Sequence, residues 1–430
     1  MELCYGYGKE TRSFSLADAN LLCEATQNPI PVDVTGMEAV QEALARPIGT
    51  PRLRDMVHAG SRIVIVTSDI TRPCPSNVIL PALLEELSLG GVSDSQLTVV
   101  FALGSHRRHT EDERRRLVGK EIFSRIACVD SGHNGFVRLG ETSFGTPVDI
   151  DKTVAEADFL ICVGNIEYHY FAGYSGGAKA VMPGVSTWEA IQENHSRMVL
   201  DAARAGNLHD NPLRQDIEEA GRMLGIDFIL NVVLDEEKNI IRAVAGDVKK
   251  AHEAGCEFLD RLYKVSLPKA ADIVITTPGG FPKDLNLYQS QKALDNAKYA
   301  VREGGILILA AACTEGAGSG IFEEWMTAAA SPDDLLSRIQ TDFRLGGHKA
   351  AAIAMVLKKN RIFLVSDMEP ELVRSFFMEP FASVEEALSE AFACLGRESS
   401  VIFIPHGGSV LPQIRRGSGS PPASAPKALS

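Results

Sequence analysis

The chain has 430 residues, 45% of them hydrophobic and 23% charged, with a formal net charge of −13. That length gives room for two or three domains with substantial cores, and the acidic balance argues against a nucleic-acid partner or an anionic membrane surface, both of which attract basic fields. Eight cysteines are scattered with no C-x-x-C pair, and neither Met1–Glu10 nor any later run has the apolar length of a signal or membrane-spanning segment, so a reduced, cytoplasmic protein is expected.

In chain order, short β-branched runs alternate with helical patterns. Arg62–Thr67 predicts the first strong strand, and Pro81–Leu87 has the apolar spacing of a helix after it. Leu97–Leu103, Asp158–Val163 and Phe228–Leu234 predict further strands. Between Val265 and Ala271 the run Ser-Leu-Pro-Lys-Ala-Ala reads as a domain boundary. Beyond it, Ile273–Thr277, Ile306–Ala310, Arg361–Val365 and Val401–Ile404 predict a second set of strands, with a helix at Asp334–Thr341. Strands alternating with helices imply an α/β fold with largely parallel sheets. The expected organisation is an N-terminal α/β domain over 1–265, a C-terminal α/β domain over 266–415, and a disordered tail over 416–430, where Gly, Ser, Pro and Ala dominate.

Polar motifs sit where these strands end. Ser68-Asp69-Ile70-Thr71-Arg72-Pro73 follows the first, Gly104-Ser105-His106-Arg107 the second and Gly164-Asn165-Ile166-Glu167-Tyr168-His169 the third. Pro278-Gly279-Gly280-Phe281-Pro282-Lys283-Asp284 repeats the habit in the second domain. Ligands of open α/β sheets bind outside the carboxyl ends of strands, so these motifs predict one shared interdomain cleft.

Each motif carries a chemical reading and a plain one. The Ser68–Pro73 turn offers N–H groups and the Arg72 guanidinium to a phosphate or carboxylate, although Asp69 also suits a simple helix cap. His106, beside a glycine and a serine, would reach the sheet rim, whereas His109, among Arg107, Arg108, Thr110 and Glu111, reads as more solvated. The run from Gly164 to Gly184 places His169 between two tyrosines and is too rich in glycine for a helix interior. Lys179, after Ser175-Gly176-Gly177, would meet the positive end of a helix dipole, a conflict that an anion or a covalent adduct removes. His195 falls near the end of a helix starting at Ser186 or Thr187 with a capping-box pattern; its spacing fits no compact zinc signature. Gln289 and Lys292, three apart, share one helix face and could offer an amide and an ammonium to a small acid, or form a solvated face. Leu345-Gly346-Gly347-His348-Lys349 has no role assigned to it beyond lining the cleft.

Taken together, Ser68–Pro73, Gly104–Arg107, the run from Gly164 to Gly184, His195 and Pro282–Ala293 resemble the nickel-pincer-nucleotide lactate racemases and their 2-hydroxy-acid racemase and epimerase relatives. The pieces fall in the family's order and span both domains. The resemblance implies that Lys179 forms the covalent link to the pyridinium nucleotide and that His195 ligates its nickel. It further implies that Asp69, Ile70, Thr71 and Arg72 hold the nucleotide, with Arg72 also near the substrate. His106 and His169 would be the acid/base pair, and Gln289 and Lys292 would hold the substrate. The expected function is racemisation of lactate or a closely related small 2-hydroxy acid, with cofactor-biosynthesis proteins as partners. Two rivals stand beside it. A nicotinamide-type 2-hydroxy-acid oxidoreductase should show a G-x-G-x-x-G turn, which the first domain lacks. A non-catalytic phosphometabolite-binding protein needs only the glycine loops and leaves Lys179 with the two histidines unexplained.

Overall fold

A computed structural model describes residues 1–415. The tail expected to be disordered, 416–430, lies outside the described residues. The fold is α/β, built on two six-stranded sheets. In spatial order the first runs Ile240–Gly246, Phe228–Leu234, Phe159–Asn165, Ile63–Ser68, Leu97–Ala102, Ala127–Asp130. Its pairs are parallel except at the Ile240–Gly246 edge, which is antiparallel. The second runs Glu379–Phe381, Arg361–Val365, Val301–Ala310, Ala271–Thr276, Val401–Ile404, Leu21–Glu24, parallel throughout.

Helices cover the sheets, so central strands are buried on both faces and read as continuous apolar runs rather than alternating ones. Ile63–Thr67 and Phe228–Leu234 are buried along their length. The helices between them form for ordinary reasons. Asn211 caps the Pro212–Leu224 helix by accepting from the N–H groups of Leu213 and Arg214, with proline at its start. Asp247 caps Val248–Tyr263 in the same way.

The first residues leave the N-terminal domain expected over 1–265. Leu21–Glu24 pairs with Val401–Ile404 at the edge of the second sheet. The hairpin of Glu2–Tyr7 and Glu10–Ser15 packs Leu3, Tyr5 and Phe14 against Ile273, Ile308 and Phe403. Phe14 meets Phe403 edge-to-face, with ring centroids 5.3 Å apart. Such a pairing joins the two ends of the chain and leaves no local pattern to find.

Both sheets present a topological switch point. In the first, the chain moves outward from Ile63–Ser68 through Leu97–Ala102 to Ala127–Asp130, then returns to place Phe159–Asn165 on the other side of Ile63–Ser68. A crevice opens where neighbouring connections diverge. The second sheet does the same around Ala271–Thr276, and one hydrophobic cluster runs from Val64 and Val66 through to Val274 and Leu307, joining the two halves. No helix among the described residues is long and apolar enough to cross a membrane.

Because Phe14 is buried against the second sheet, Phe14→Ala should lower the unfolding free energy by about 3–5 kcal/mol in urea denaturation. A loss below about 1 kcal/mol would mean that the hairpin adds little to that core.

Candidate active site

A cavity of about 550 Å³ lies where the carboxyl ends of the two sheets meet. It is lined by Asp69, Thr71, Arg72, His106, His169, Lys179, His195, Gln289 and Lys292, all singled out by the sequence. Ile70 is the exception. It is not among the lining residues, and its N–H donates to His109 Nε2 at 3.1 Å.

The turn after Ile63–Ser68 aims Asp69 at His106. Asp69 is 2% exposed, and its Oδ2 lies 2.7 Å from His106 Nδ1. Thr71 Oγ1 donates to the same carboxylate at 2.9 and 3.1 Å. Burial opposes the charge of Asp69, but the His106 and Thr71 hydrogen bonds, with the charge of Arg72, hold its carboxyl below the usual range. An ionised Asp69 accepts from Nδ1–H and leaves His106 Nε2 with its lone pair, the orientation a general base requires. His109 does not sit in solvent as expected. Its ring is buried, Nδ1 is 2.7 Å from Asp130 Oδ1, and Nε2 takes the Ile70 N–H, so it braces the turn that carries Asp69.

The glycine run after Phe159–Asn165 folds into a small hairpin, in which Tyr168 faces Tyr174 and His169 faces Gly173. Tyr168 and Tyr174 both donate to Asp260 Oδ1 at 2.8 Å, turning away from the histidine between them. His169 packs edge-to-face on Phe171 and stacks on Tyr170, and Ala172 N–H lies 3.3 Å from its Nδ1. Burial, then the charge of Arg72, pushes its pKa well below 6.5, so the ring is neutral near pH 7.

Gly176 and Gly177 have φ of 77° and 58°, a region closed to most side chains. A Cβ on Gly177 would lie 2.9 Å from Arg214 Nη2 and from the His252 ring. The backbone comes this close because buried polar groups hold it. Arg214, fully buried, donates to the carbonyls of Tyr174 and Gly176, His252 Nε2 to Ser175 O at 2.8 Å, and Gly177 N–H to Asn231 Oδ1 at 2.8 Å. Sequence reasoning missed all three. Only Asn231 left a signal, as a lone amide inside an otherwise apolar strand.

Lys179 sits in a short 3₁₀ turn, Gly177–Ala180, rather than the first turn of an α-helix. Burial, reinforced by Arg72 and Arg214, lowers its ammonium well below the usual 10.5 and so favours the neutral, nucleophilic amine. His195 comes from the last turn of Trp188–Ser196, which Thr187 caps alone, since Ser186 bonds instead to Val181 O. Asn194 Nδ2 donates to Leu213 O and Asp216 Oδ2, so its Oδ1 must face His195 Nδ1, 3.0 Å away. That pairing puts the imidazole proton on Nδ1 and frees the Nε2 lone pair. Burial, with the Arg72 charge acting in the same direction, holds His195 neutral, as a metal ligand requires.

The second lobe closes the cavity with the Leu287–Ala297 helix. Gln289 and Lys292 both face the cavity, and Lys292 Nζ is 3.0 Å from Glu167 Oε2 across the cleft. His348 and Lys349, left without a role by the sequence, line the same wall. His348 stacks near Tyr170 and Phe343, and Phe343 meets His195 edge-to-face.

Comparison with known proteins agrees with this architecture. The family described as Lactate racemase N-terminal domain matches residues 7–206, and Lactate racemase C-terminal domain matches 267–412. A lactate racemase of Thermoanaerobacterium thermosaccharolyticum is 36% identical over 417 residues, covering 94% of this chain and 97% of that protein. One from Lactiplantibacillus plantarum is 35% identical over 384 residues, covering 87% and 90%. The structure of the T. thermosaccharolyticum lactate racemase apoprotein superposes with a TM-score of 0.88 at 33% identity, covering 96% of this chain and 100% of that one. A Thermotoga maritima protein shares the fold, with a TM-score of 0.62 at 18% identity over 88% of this chain and 98% of its own.

His252, pushed down to about 4 by burial and the Arg214 charge, carries a pH signature. A histidine whose folded pKa is depressed contributes stability that is complete above about 6.5 and lost as pH falls toward the folded value. Stability should therefore drop between pH 6.5 and 4, with about 3 kcal/mol of the drop absent in His252→Gln, read from urea midpoints at several pH values. Parallel pH profiles for the two proteins would show that His252 is not held neutral.

Proposed function

The chain belongs to the lactate racemase family, and from that membership we propose that it interconverts D- and L-lactate, or a closely related small 2-hydroxy acid, with a nickel-pincer nucleotide tethered at Lys179. The enzyme is an isomerase of the racemase type. The observation that carries the finer reading is the convergence of four groups on one cavity: the Lys179 amine, the free Nε2 of His195, and His106 and His169 from different strand ends.

The residues fit such a group. Lys179 is buried with its amine favoured, as an adduct-forming lysine needs, and His195 offers one neutral nitrogen. Among the described residues no cluster of three or more His, Cys, Asp or Glu could hold a metal. His195 would supply one nitrogen to nickel, and the organic group would supply the other ligands. The Arg72 guanidinium suits the nucleotide phosphate, whereas the Ile70 and Arg72 N–H groups of that turn are already held by His109 Nε2 and Asp69 O.

When bound, the cofactor supplies an electrophilic centre that takes the substrate's α-hydrogen with its electron pair and returns it. The protein has to manage the hydroxyl proton, because losing that hydrogen from a 2-hydroxy acid yields a planar 2-keto acid only if the hydroxyl is deprotonated. His106 removes this proton from one enantiomer, and the Asp69 carboxylate steadies the imidazolium that forms. After the keto acid turns its other face, His169 serves the mirror-image oxygen position. Accepting a proton at Nε2 requires His169 to carry its own on Nδ1, so the 3.3 Å contact from Ala172 lengthens in that state. His169, neutral at rest, must be protonated when it returns a proton to the mirror-image oxygen, so the two imidazoles exchange base and acid roles when turnover reverses. Arg72, Gln289 and Lys292 hold the carboxylate side while the carbonyl rotates. All eight cysteines are free, which suits a reducing cytoplasm.

Produced together with cofactor-biosynthesis proteins, the chain should gain the mass of a covalent adduct and about one nickel per chain, and Lys179→Ala should lose both in intact mass and metal analysis. His106→Asn and His169→Asn should retain the adduct but lose at least about 100-fold in racemisation in both directions, followed by chiral chromatography. Full turnover by either variant removes that histidine from the mechanism.

A further inference from the structure

Two of the groups that hold the His195 imidazole come from its own lobe: Asn194 Oδ1, 3.0 Å from Nδ1, and Phe171, edge-to-face at 4.9 Å and 69°. A third does not. Phe343 belongs to the second lobe, on the turn between the helices Pro332–Thr341 and Gly347–Leu357, and its ring centroid lies 5.1 Å from that of His195 at 83°. It is 3% exposed and lines the cavity.

The helix that bears His195 is shaped to receive this ring. Trp188 and His195 are seven residues apart, so they share one helix face, separated along the axis by about 10.5 Å. Phe343 meets both, at 5.9 Å and 50° from Trp188 and at the distance given above from His195. Trp188, 45% exposed, is the solvent side of this notch, and His195, 7% exposed, is its cavity side. The turn that delivers Phe343 is fixed as well. Leu335 and Ile339 of the preceding helix are buried in one cluster with Phe343 and with Met198 of the first lobe. Gly346 has φ of 108° and donates its N–H to His348 Nδ1 at 3.1 Å, and a Cβ on Gly347 would lie 2.7 Å from the Trp325 ring.

A metal-binding imidazole needs such support. The torsion about the Cβ–Cγ bond of histidine has broad wells, so rotamer preference alone does not set the ring plane. The Asn194 hydrogen bond fixes one nitrogen and leaves the ring able to tilt about that contact. Packing against the ring removes the tilt, and an apolar cover keeps water from competing at the metal.

We propose that Phe343 is a positioning residue for nickel, supplied by the lobe opposite the ligand: it holds the plane of the His195 imidazole and shields it from water. This rests on the reading that His195 binds the metal of a tethered cofactor.

The test is a chelator challenge of the full-length, cofactor-loaded protein, with nickel content and intact mass followed over time. Phe343→Ala should release nickel at least about 10-fold faster than wild type, the size of effect expected when a group supporting a metal ligand is lost. The absorption spectrum of its bound cofactor should shift, while the mass of the Lys179 adduct persists. Phe343→Leu, which keeps apolar volume against the ring, should stay within about three-fold of wild type. Phe14→Ala truncates a phenylalanine in a separate cluster and should release nickel at the wild-type rate, which separates support of the ligand from loss of stability. Release by Phe343→Ala within about two-fold of wild type, or equal acceleration by Phe14→Ala, overturns the proposal.

A second measurement needs no cofactor. Diethyl pyrocarbonate acylates accessible neutral imidazoles, and peptide mapping of the cofactor-free full chain should show His195 modified at least about 10-fold faster in Phe343→Ala than in wild type. The exposed His58 and His209 should react alike in both. Faster modification of His195 with neither nickel nor adduct in any cofactor-loaded preparation sinks the function and spares the cover, whereas a nickel-bearing wild type with no dependence on Phe343 in either measurement does the reverse.

Discussion

Positive charge crowded into a partly dry cleft is the constraint on which the chemistry of this protein depends. Arg72, Arg214, Lys292 and Lys349 all act on the same space, and the carboxylates near them are largely paired. Mutual repulsion and lost hydration push protons off the groups that can release them. Lys179, His169 and His195 are thereby held neutral, the state in which an amine attacks, an imidazole accepts a proton and a ring nitrogen binds metal. His106 is treated differently, because it alone among these histidines faces an ionised carboxylate. The site thus distinguishes its histidines by neighbours rather than by type.

Holding charge in that condition requires a stiff frame. The glycine loop follows buried donors from the helices behind it, Arg214 and His252, and a buried amide in the sheet, Asn231. The turn bearing Asp69 is braced from below by His109 and Asp130. Each brace reaches backbone atoms of a loop lining the cavity, so the loop's shape is set by residues behind it, of which Asn231 also lines the cavity. The Glu167–Lys292 pair links the two lobes across the cleft.

Much of this was legible in the amino-acid sequence, and for identifiable reasons. Phe228–Leu234, Arg361–Val365 and Val401–Ile404 are observed with the bounds their apolar runs predict, because strands buried on both faces have no polar face to blur the signal. The placing of Asp69, His106 and His169 at strand ends followed from the same runs, and parallel topology then required those ends to lie on one edge. The glycines before Lys179 announced a close backbone approach, as only residues without a Cβ tolerate it.

What the sequence did not contain was any contact whose partner lies far along the chain. Leu21–Glu24 reads as an isolated short run, and its place in the second sheet depends on Val401–Ile404. His109 reads as solvated among charged neighbours, and only Asp130 and the Ile70 N–H make it a buried brace. Arg214 looks like any helical arginine until the Gly176 carbonyl meets it, and Lys349 is one lysine of many until Gln291 and two tyrosine rings surround it. Local pattern determined which segments are strands, helices and tight turns, since those follow from backbone sterics and the period of apolar residues. Tertiary structure alone decided which polar groups share a solvent-poor space, because burial and Coulomb interaction depend on distance in space and are indifferent to distance in sequence.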